Sequence, residues 1–283
     1  MSVIRNAMTI DVEDYFQVSA FAPYVSRDDW DNIPCRVERN VDLILGLLDD
    51  ANTKATFFAL GWIVERHPNV ARRIVENGHE LASHGYGHQR ASDLSPEEFR
   101  LDVVRAKHIL EDIAGLQVKG YRAPSFSISG RNRWALDVLA ETGHAYSSSI
   151  YPVKHDHYGA PEAPRHPYWP NGEGGILELP PTTVPLFGHN LPAAGGGYFR
   201  LMPYGVSRWL LKRVNHREQE PCMFYFHPWE VDPDQPRPKG LSAKTRFRHY
   251  VNLQHMQGKL ARLLKDFSWG RVDETFLDSS HTH

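Results

Sequence analysis

From residue 7 to residue 150 the chain alternates short apolar runs with stretches of helical spacing, and this alternation narrows the possible folds more than any single motif. Ala7 to Val12 reads as a strand that ends in acids. Val37 to Leu48 places Val41, Ile44, Leu45 and Leu48 on one helical face. Ala55 to Leu60 is a compact apolar strand, Asn69 to Glu76 a helix stopped by Gly78, and Glu80 to Ser83 a short strand. Ser95-Pro96-Glu97-Glu98 opens a helix: Ser95 caps it, Pro96 takes its first position and Glu98 closes a capping box. That helix ends at Gly115, Gly120 to Arg122 reads as a strand end, Asn132 to Glu141 as a helix ended by Gly143, and Ala145 to Ile150 as a strand. Strands that alternate with helices predict a parallel sheet with helices outside it.

After Ile150 the rhythm breaks. Tyr151 to Gly175 is rich in Pro, Gly and His and reads as a long surface loop. Ile176 to Leu179 is a strand, Gly195 to Gly197 a turn before Tyr198-Phe199-Arg200, Pro203 to Val214 a helix, and Cys222 to Phe226 a last apolar strand. Pro228 to Pro238 looks irregular and Ser242 to Asp266 mostly helical. The expected organisation is one α/β catalytic domain over residues 1–238, with a helical extension, residues 239–283, packed on it.

Bulk properties exclude several classes. The net charge of -2 gives no overall basic field for nucleic acid. No stretch approaches the ~18 to 20 apolar residues of a membrane span. Met1 to Met8 has no apolar run, so the sequence reads as cytoplasmic. Cys35 and Cys222 fit no Cys-x-x-Cys pattern and read as buried thiols, with a disulfide left open. There are 16 histidines, so each needs its own argument before it is taken as a ligand.

Leu81-Ala-Ser-His-Gly-Tyr-Gly-His88 carries the clearest chemical signal. His84 and His88 stand four residues apart, and Gly85 and Gly87 let the backbone turn so that both rings meet one point. The acidic run Asp11-Val-Glu-Asp14 offers carboxylates to that point. Two imidazoles and one carboxylate, with positions left open, suit a hydrolytic metal site better than a closed structural one. A strand places Asp11 and Glu13 on one face. If the strand has already ended, Asp14 turns inward instead, so both Glu13 and Asp14 stand as candidate ligands. His155-Asp156-His157 is a weaker second cluster that reads as a solvated loop. In parallel sheets the chemistry lies at the carboxyl ends of the strands. Asp11, His84, Arg122 and His227 each follow an expected strand and therefore converge on one rim.

With these residues in place, the chain from Met8 to Glu230 resembles the polysaccharide deacetylases of the NodB-homology type, carbohydrate esterase family four. Phe226-His-Pro-Trp-Glu230 and the helical tail resemble the subgroup found in bacterial exopolysaccharide loci. The resemblance implies a distorted (β/α) barrel of about seven parallel strands. His84 and His88 match the family's His-x-x-x-His metal motif. Asp11 matches its base, while Val12 stands where the usual carboxylate ligand would be. Arg122 in Arg122-Ala-Pro-Ser-Phe126 matches its Arg-x-Pro motif, with the backbone N–H of Ser125 facing a developing oxyanion. His227 matches the family's C-terminal catalytic histidine. Ser147 stands where relatives often carry the acid that pairs with it, which leaves Glu178 or Glu230. Tyr86, Phe126 and Trp229 are candidate apolar walls for sugar rings, with a core role as the plain alternative.

The activity implied is metal-dependent removal of acetyl groups from N-acetylated amino sugars, in an exopolysaccharide or its lipid-linked precursor. Zinc is the expected ion, with cobalt or nickel possible. Two other readings stay open: an amidohydrolase of the same scaffold acting on a small or cyclic amide, and a non-catalytic carbohydrate-binding protein with a degenerate site.

Overall fold

The computed structural model describes residues 4–155 and 159–277. Its strands are β1 (Arg5–Val12), β2 (Thr56–Ala59), β3 (Glu80–Ser83), β4 (Gly120–Tyr121), β5 (Tyr146–Ser147), β6 (Leu177–Glu178), β7 (Thr183–Leu186), β8 (His189–Pro192), β9 (Met223–Phe226) and β10 (Ser268–Gly270). Its helices are α1 (Val37–Asp50), α2 (Gly61–Arg66), α3 (Pro68–Glu76), α4 (Pro96–Ala114), α5 (Trp134–Glu141), α6 (Gly196–Leu201), α7 (Tyr204–Arg213), α8 (Ala243–Tyr250) and α9 (Met256–Asp266). Short 3-10 turns fill much of the rest, including Tyr15–Gln17, Pro124–Phe126 and Pro228–Val231.

All eight strands of the main sheet run parallel, in the order β10-β1-β2-β3-β4-β5-β6, with β9 also on β1. β1 shares one edge between two partners: Arg5 to Ala7 pair with β10, and Ala7 to Ile10 with β9. β6 and β9 form no ladder. Thr182, four residues past β6, reaches β9 instead: its N–H donates to the Met223 carbonyl at 3.2 Å, and its Oγ1 accepts from Met223 N–H at 2.7 Å. The sheet is therefore a distorted parallel barrel of seven main strands with β10 added at its edge. β7 and β8 form a separate antiparallel hairpin.

The alternation along β1 sorts its side chains. Met8, Ile10 and Val12 join the large core under the helices, while Ala7 joins the small apolar cluster inside the barrel with Phe58, Ala82, Tyr146 and Met223. Thr9, Asp11 and Glu13 share the interior face with Ala7, so one strand delivers an apolar floor, a hydroxyl and two carboxylates in sequence. α1 buries Val37, Val41, Ile44, Leu45 and Leu48. Each such side chain contributes about 1.5–3 kcal/mol relative to exposure. α4 has the capping box at Ser95 and Glu98, and its C-terminus is closed by Gly115 at φ 68°.

Four expectations change. A helix, α2, follows β2 directly. Gly196 and Gly197 begin α6 rather than a turn. The start of the 151–175 segment is core: Tyr151, Val153 and Ala160 are buried, and the Tyr151 hydroxyl donates to the Ala194 carbonyl at 3.1 Å. The C-terminal stretch is not only helical, because β10 brings Trp269 into the main core. Asp156 and His157 of the weaker histidine cluster lie outside the described residues. Both cysteines are free, Cys222 buried and Cys35 partly so. No helix among the described residues is long and apolar enough to cross a membrane.

Candidate active site

The strand ends that face one rim bring Asp11, Glu13, His84, His88, Arg122 and His227 together. Glu13 is two residues past Asp11 at the end of β1, and its N–H donates to the Asp11 carbonyl at 3.0 Å. That tight turn keeps the Glu13 side chain on the inward face. Ligand atoms of Glu13, His84 and His88 all lie within 4.8 Å of one another, and all three residues are buried. Glu13 Oε2 is 2.7 Å from His88 Nε2, yet it makes no hydrogen bond. A buried acceptor without a donor is costly. A cation among these three groups would satisfy it, so the donor set fits a metal.

The tautomers point the same way. His84 Nδ1 lies 2.8 Å from the Arg122 carbonyl oxygen, which can only accept, so Nδ1 carries the proton and Nε2 keeps its lone pair. Burial, joined by the neighbouring His88, lowers the His84 pKa to about 4, so the ring stays neutral. Burial opposes the charge of Glu13, but His88, His227 and His84 hold its carboxyl well below the usual range.

Asp14 takes the other direction. Its Oδ1 accepts from Tyr15 N–H at 2.7 Å, and its Oδ2 from Arg36 N–H at 2.5 Å and Val37 N–H at 3.0 Å. It closes a capping box with Gln17 and anchors the start of α1. The two carboxylates left open by the sequence are thus separated: Glu13 faces the histidines and Asp14 faces the backbone.

The loop between the histidines is clamped from both sides. Asp102 of α4 accepts from Tyr86 N–H at 3.0 Å. Arg27 donates to the carbonyls of Gly87 at 3.0 Å and His88 at 3.1 Å. Gly85 takes φ 76° there, and a Cβ on it would stand 2.7 Å from Asp102 Oδ2.

Arg122 is fully buried inside the barrel. It donates to Asp11 Oδ1 at 2.6 Å, to Thr9 Oγ1 at 2.8 Å and to Ser148 Oγ at 2.9 Å. Phe58 lies 4.1 Å below its guanidinium carbon. A buried cation so enclosed keeps the Asp11 carboxylate in place. Asp11 Oδ2 remains directed toward His227, 3.9 Å from Nε2.

His227 follows β9 and is about one-fifth exposed, at 19%. Its Nδ1 is 2.8 Å from Glu230 Oε1, and its Nε2 is 3.4 Å from Glu13 Oε1. Burial opposes its charge, but Glu13, Glu230 and Asp11 raise its pKa to about 9. Of the two acids the sequence left open, Glu230 is the one in contact. Glu178 instead accepts from Ser149 N–H at 2.7 Å and Ile150 N–H at 2.8 Å. Glu230 is itself gripped by Arg200 of α6, whose Nε is 2.6 Å from Oε2. Arg200 also donates to the carbonyls of His249 and Val251, each at 2.8 Å. Gly196 makes room for this acid: a Cβ there would lie 2.0 Å from Glu230 Oε1. Neither Arg200 nor Gly196 carries a sequence signal, because the contact spans 30 residues and two elements.

The remaining site candidates are placed as follows. Ser125 adopts φ 56° in the turn after β4, and its hydroxyl meets that of Ser19 at 2.6 Å. Phe126 is buried against Tyr151 and Tyr225, beneath the site. Trp229 is also buried, stacked between His227 and His249, and its Nε1 donates to Glu13 Oε1 at 3.3 Å. Tyr86 points away: its hydroxyl donates to Glu65 at 2.7 Å, and Arg105 covers its ring. Of the three aromatic wall candidates, Phe126 and Trp229 are buried, and Tyr86 reaches the outer helices.

Comparison with known proteins shows what the chain is similar to. Residues 28–147 match the family model described as polysaccharide deacetylase, and residues 148–277 match a domain of unknown function, DUF3473. A peptidoglycan-N-acetylglucosamine deacetylase of Bacillus cereus is 35% identical over 95 residues, 33% of this chain and 34% of that protein. A chitooligosaccharide deacetylase of Bradyrhizobium sp. is 27% identical over 128 residues, 45% of this chain and 54% of that protein. The chain thus spans between a third and about half of the length of these relatives. Among solved structures, a polysaccharide deacetylase from Mycobacterium smegmatis, described as putative in its own report, superposes with TM-score 0.58 at 22% identity, over 94% of this chain and 87% of that one. A peptidoglycan N-acetylglucosamine deacetylase bound to 4-naphthalen-1-yl-N-oxidanyl-benzamide superposes with TM-score 0.51 at 17% identity, over 98% and 89%. These two likenesses carry the fold. Residues 28–147 are thus similar to polysaccharide deacetylases, and residues 148–277 supply β6, β9 and β10 of the same sheet.

Proposed function

We propose that this protein is a metal-dependent N-deacetylase that removes acetyl groups from N-acetylated amino sugars of an exopolysaccharide or its lipid-linked precursor. The observation that carries the reading is the buried Glu13–His84–His88 cluster beside a carboxylate, Asp11, held by a buried guanidinium. The relatives named as peptidoglycan and chitooligosaccharide deacetylases support the substrate class.

The ligand set is that of a catalytic zinc site, and cobalt or nickel suits it too. Bound there, the ion would supply Lewis-acid polarisation of the acetamide carbonyl and a lowered pKa for the attacking water. The chain's own groups do the rest. Asp11 accepts a proton from the water through Oδ2, while Arg122 holds Oδ1. The Ser125 N–H donates to the tetrahedral oxyanion. His227 delivers a proton to the departing amine, with Glu230 fixing the Nδ1 tautomer so that Nε2 faces the reaction. Trp229 keeps Glu13 on the metal side.

The test is acetate release from a panel of defined N-acetylated oligosaccharides, before and after chelation and after zinc is restored. Activity lost on chelation, restored by zinc, and absent from His84→Ala and His88→Ala is the expected result. A wild-type protein that binds zinc but releases no acetate from any saccharide, while hydrolysing small cyclic amides, would replace this reading with the amidohydrolase one.

A further inference from the structure

The segment from Arg237 to Tyr250 carries Arg237, Lys239, Lys244, Arg246 and Arg248 and not one acid, in a chain whose net charge is -2. Between Asp234 and Asp266 there is no carboxylate at all. Part of this segment lines a groove of about 320 Å³, with Arg237, Lys239, Arg246, Leu241 and Tyr250 in its walls. Arg237, Lys239 and Arg246 are exposed, and no carboxylate among the described residues forms an ion pair with them. Arg237 lies over the Tyr250 ring at 4.7 Å. Like charges gathered at one spot repel one another, and their concentration is relieved when an anion binds.

The groove belongs to the same rim as the active site. The segment follows the carboxyl end of β9, as His227 does. Tyr24, in the loop that follows β1, approaches Gly240 at 3.9 Å from where a Cβ would stand. Three successive ring contacts connect the two places: His227 to Trp229 at 5.2 Å, Trp229 to His249 at 4.2 Å, and His249 to Tyr250 at 4.6 Å. Beside the cations, Phe247 is 60% exposed. Arginine forks bind phosphate oxygens in pairs. Three cations around one groove match a pyrophosphate better than the single charge of a sugar carboxylate. An exposed aromatic beside them suits the lipid of an amphiphile.

We propose that this groove binds the pyrophosphate of a lipid-linked saccharide and so positions its acetamido sugar at the Asp11–His227 rim. This deepens the proposed deacetylase function and rests on it for the catalytic arm of the test alone. Binding of inorganic pyrophosphate is measured by calorimetry at physiological salt on the wild type, on Arg237→Gln/Lys239→Gln/Arg246→Gln and on His84→Ala/His88→Ala. The groove variant is expected to lose about tenfold or more in affinity, the value of a lost charge-assisted pair, while the histidine variant retains it. Binding lost in the histidine variant and kept in the groove variant would place the anion on the metal centre and overturn the proposal.

In the catalytic arm, KM is compared for one N-acetylated oligosaccharide with and without a reducing-end lipid pyrophosphate. The wild type should prefer the pyrophosphate form by about tenfold or more, and the groove variant should lose that preference through KM. Equal preference in both proteins overturns the proposal. So does a groove variant that loses only its attachment to vesicles of phosphatidylglycerol and phosphatidylcholine, which would make the cations a membrane contact. If the wild type deacetylates neither substrate, the functional reading fails while the calorimetric arm still decides the groove.

Discussion

Each acid at the end of β1 has its own geometry, and the three differ in what they accept. Asp11 takes a guanidinium, Glu13 faces two imidazoles, and Asp14 takes three backbone N–H groups. Replacement therefore separates their roles. Glu13→Gln is expected to lower zinc affinity by more than about tenfold, measured by competition with a chromophoric chelator. Asp14→Ala should leave that affinity as it was and cost about 1–3 kcal/mol in urea unfolding, because buried N–H groups lose their acceptor. Metal affinity that falls with Asp14 and not with Glu13 would reverse the assignment. Asp11→Asn keeps the shape and removes the proton acceptor, so the rate should drop about 10²- to 10⁴-fold with metal still bound. A variant that lost metal instead would make Asp11 a ligand.

Among the elements, α6 does most to place the proposed acid. It enters at Gly196, passes under Glu230 without a Cβ, and one turn later extends Arg200 to the same carboxylate. Gly196→Ala should displace Glu230 and loosen the His227 ring. We expect kcat on an acetamide to fall about 10- to 100-fold, a part of what a positioned acid contributes, with metal content unchanged. An aryl acetate should be affected much less, since its leaving oxygen hardly needs a proton. Equal losses on both substrates would mean that α6 shapes the pocket rather than orients the acid. Introducing the same change in His227→Ala should add little further loss, because the two act through one group.

At the scale of the whole molecule, the two ends of the barrel divide stability from chemistry. At the amino end of the strands, His79 accepts the Ala55 N–H through Nδ1 at 3.1 Å, joining the starts of β2 and β3. Burial, with Lys54 and Arg271 nearby, lowers its pKa to about 4 from an ordinary 6.5. The unfolded chain therefore takes up this proton first as pH falls. The contribution is full above pH 6.5 and is lost between 6.5 and about 4. His79→Asn keeps an acceptor and cannot titrate, so its unfolding free energy should fall less steeply over that window, by up to about 3 kcal/mol. Parallel slopes in the two proteins would remove His79 from the acid response. The sequence by itself determined the order of strands and helices from Arg5 to Ser147 apart from α2, because period and capping are local. It also marked Asp11, His84, Arg122 and His227, because a polar residue straight after an apolar strand must sit at the rim. Only the tertiary structure separated Glu13 from Asp14, since a single tight turn after Val12 decides which carboxylate faces inward. It alone joined Glu230 to Arg200 and Gly196, clamped the histidine loop with Arg27 and Asp102, and returned β10 to the edge of β1. Those contacts link residues tens to hundreds of positions apart, and no local pattern encodes a distance of that kind.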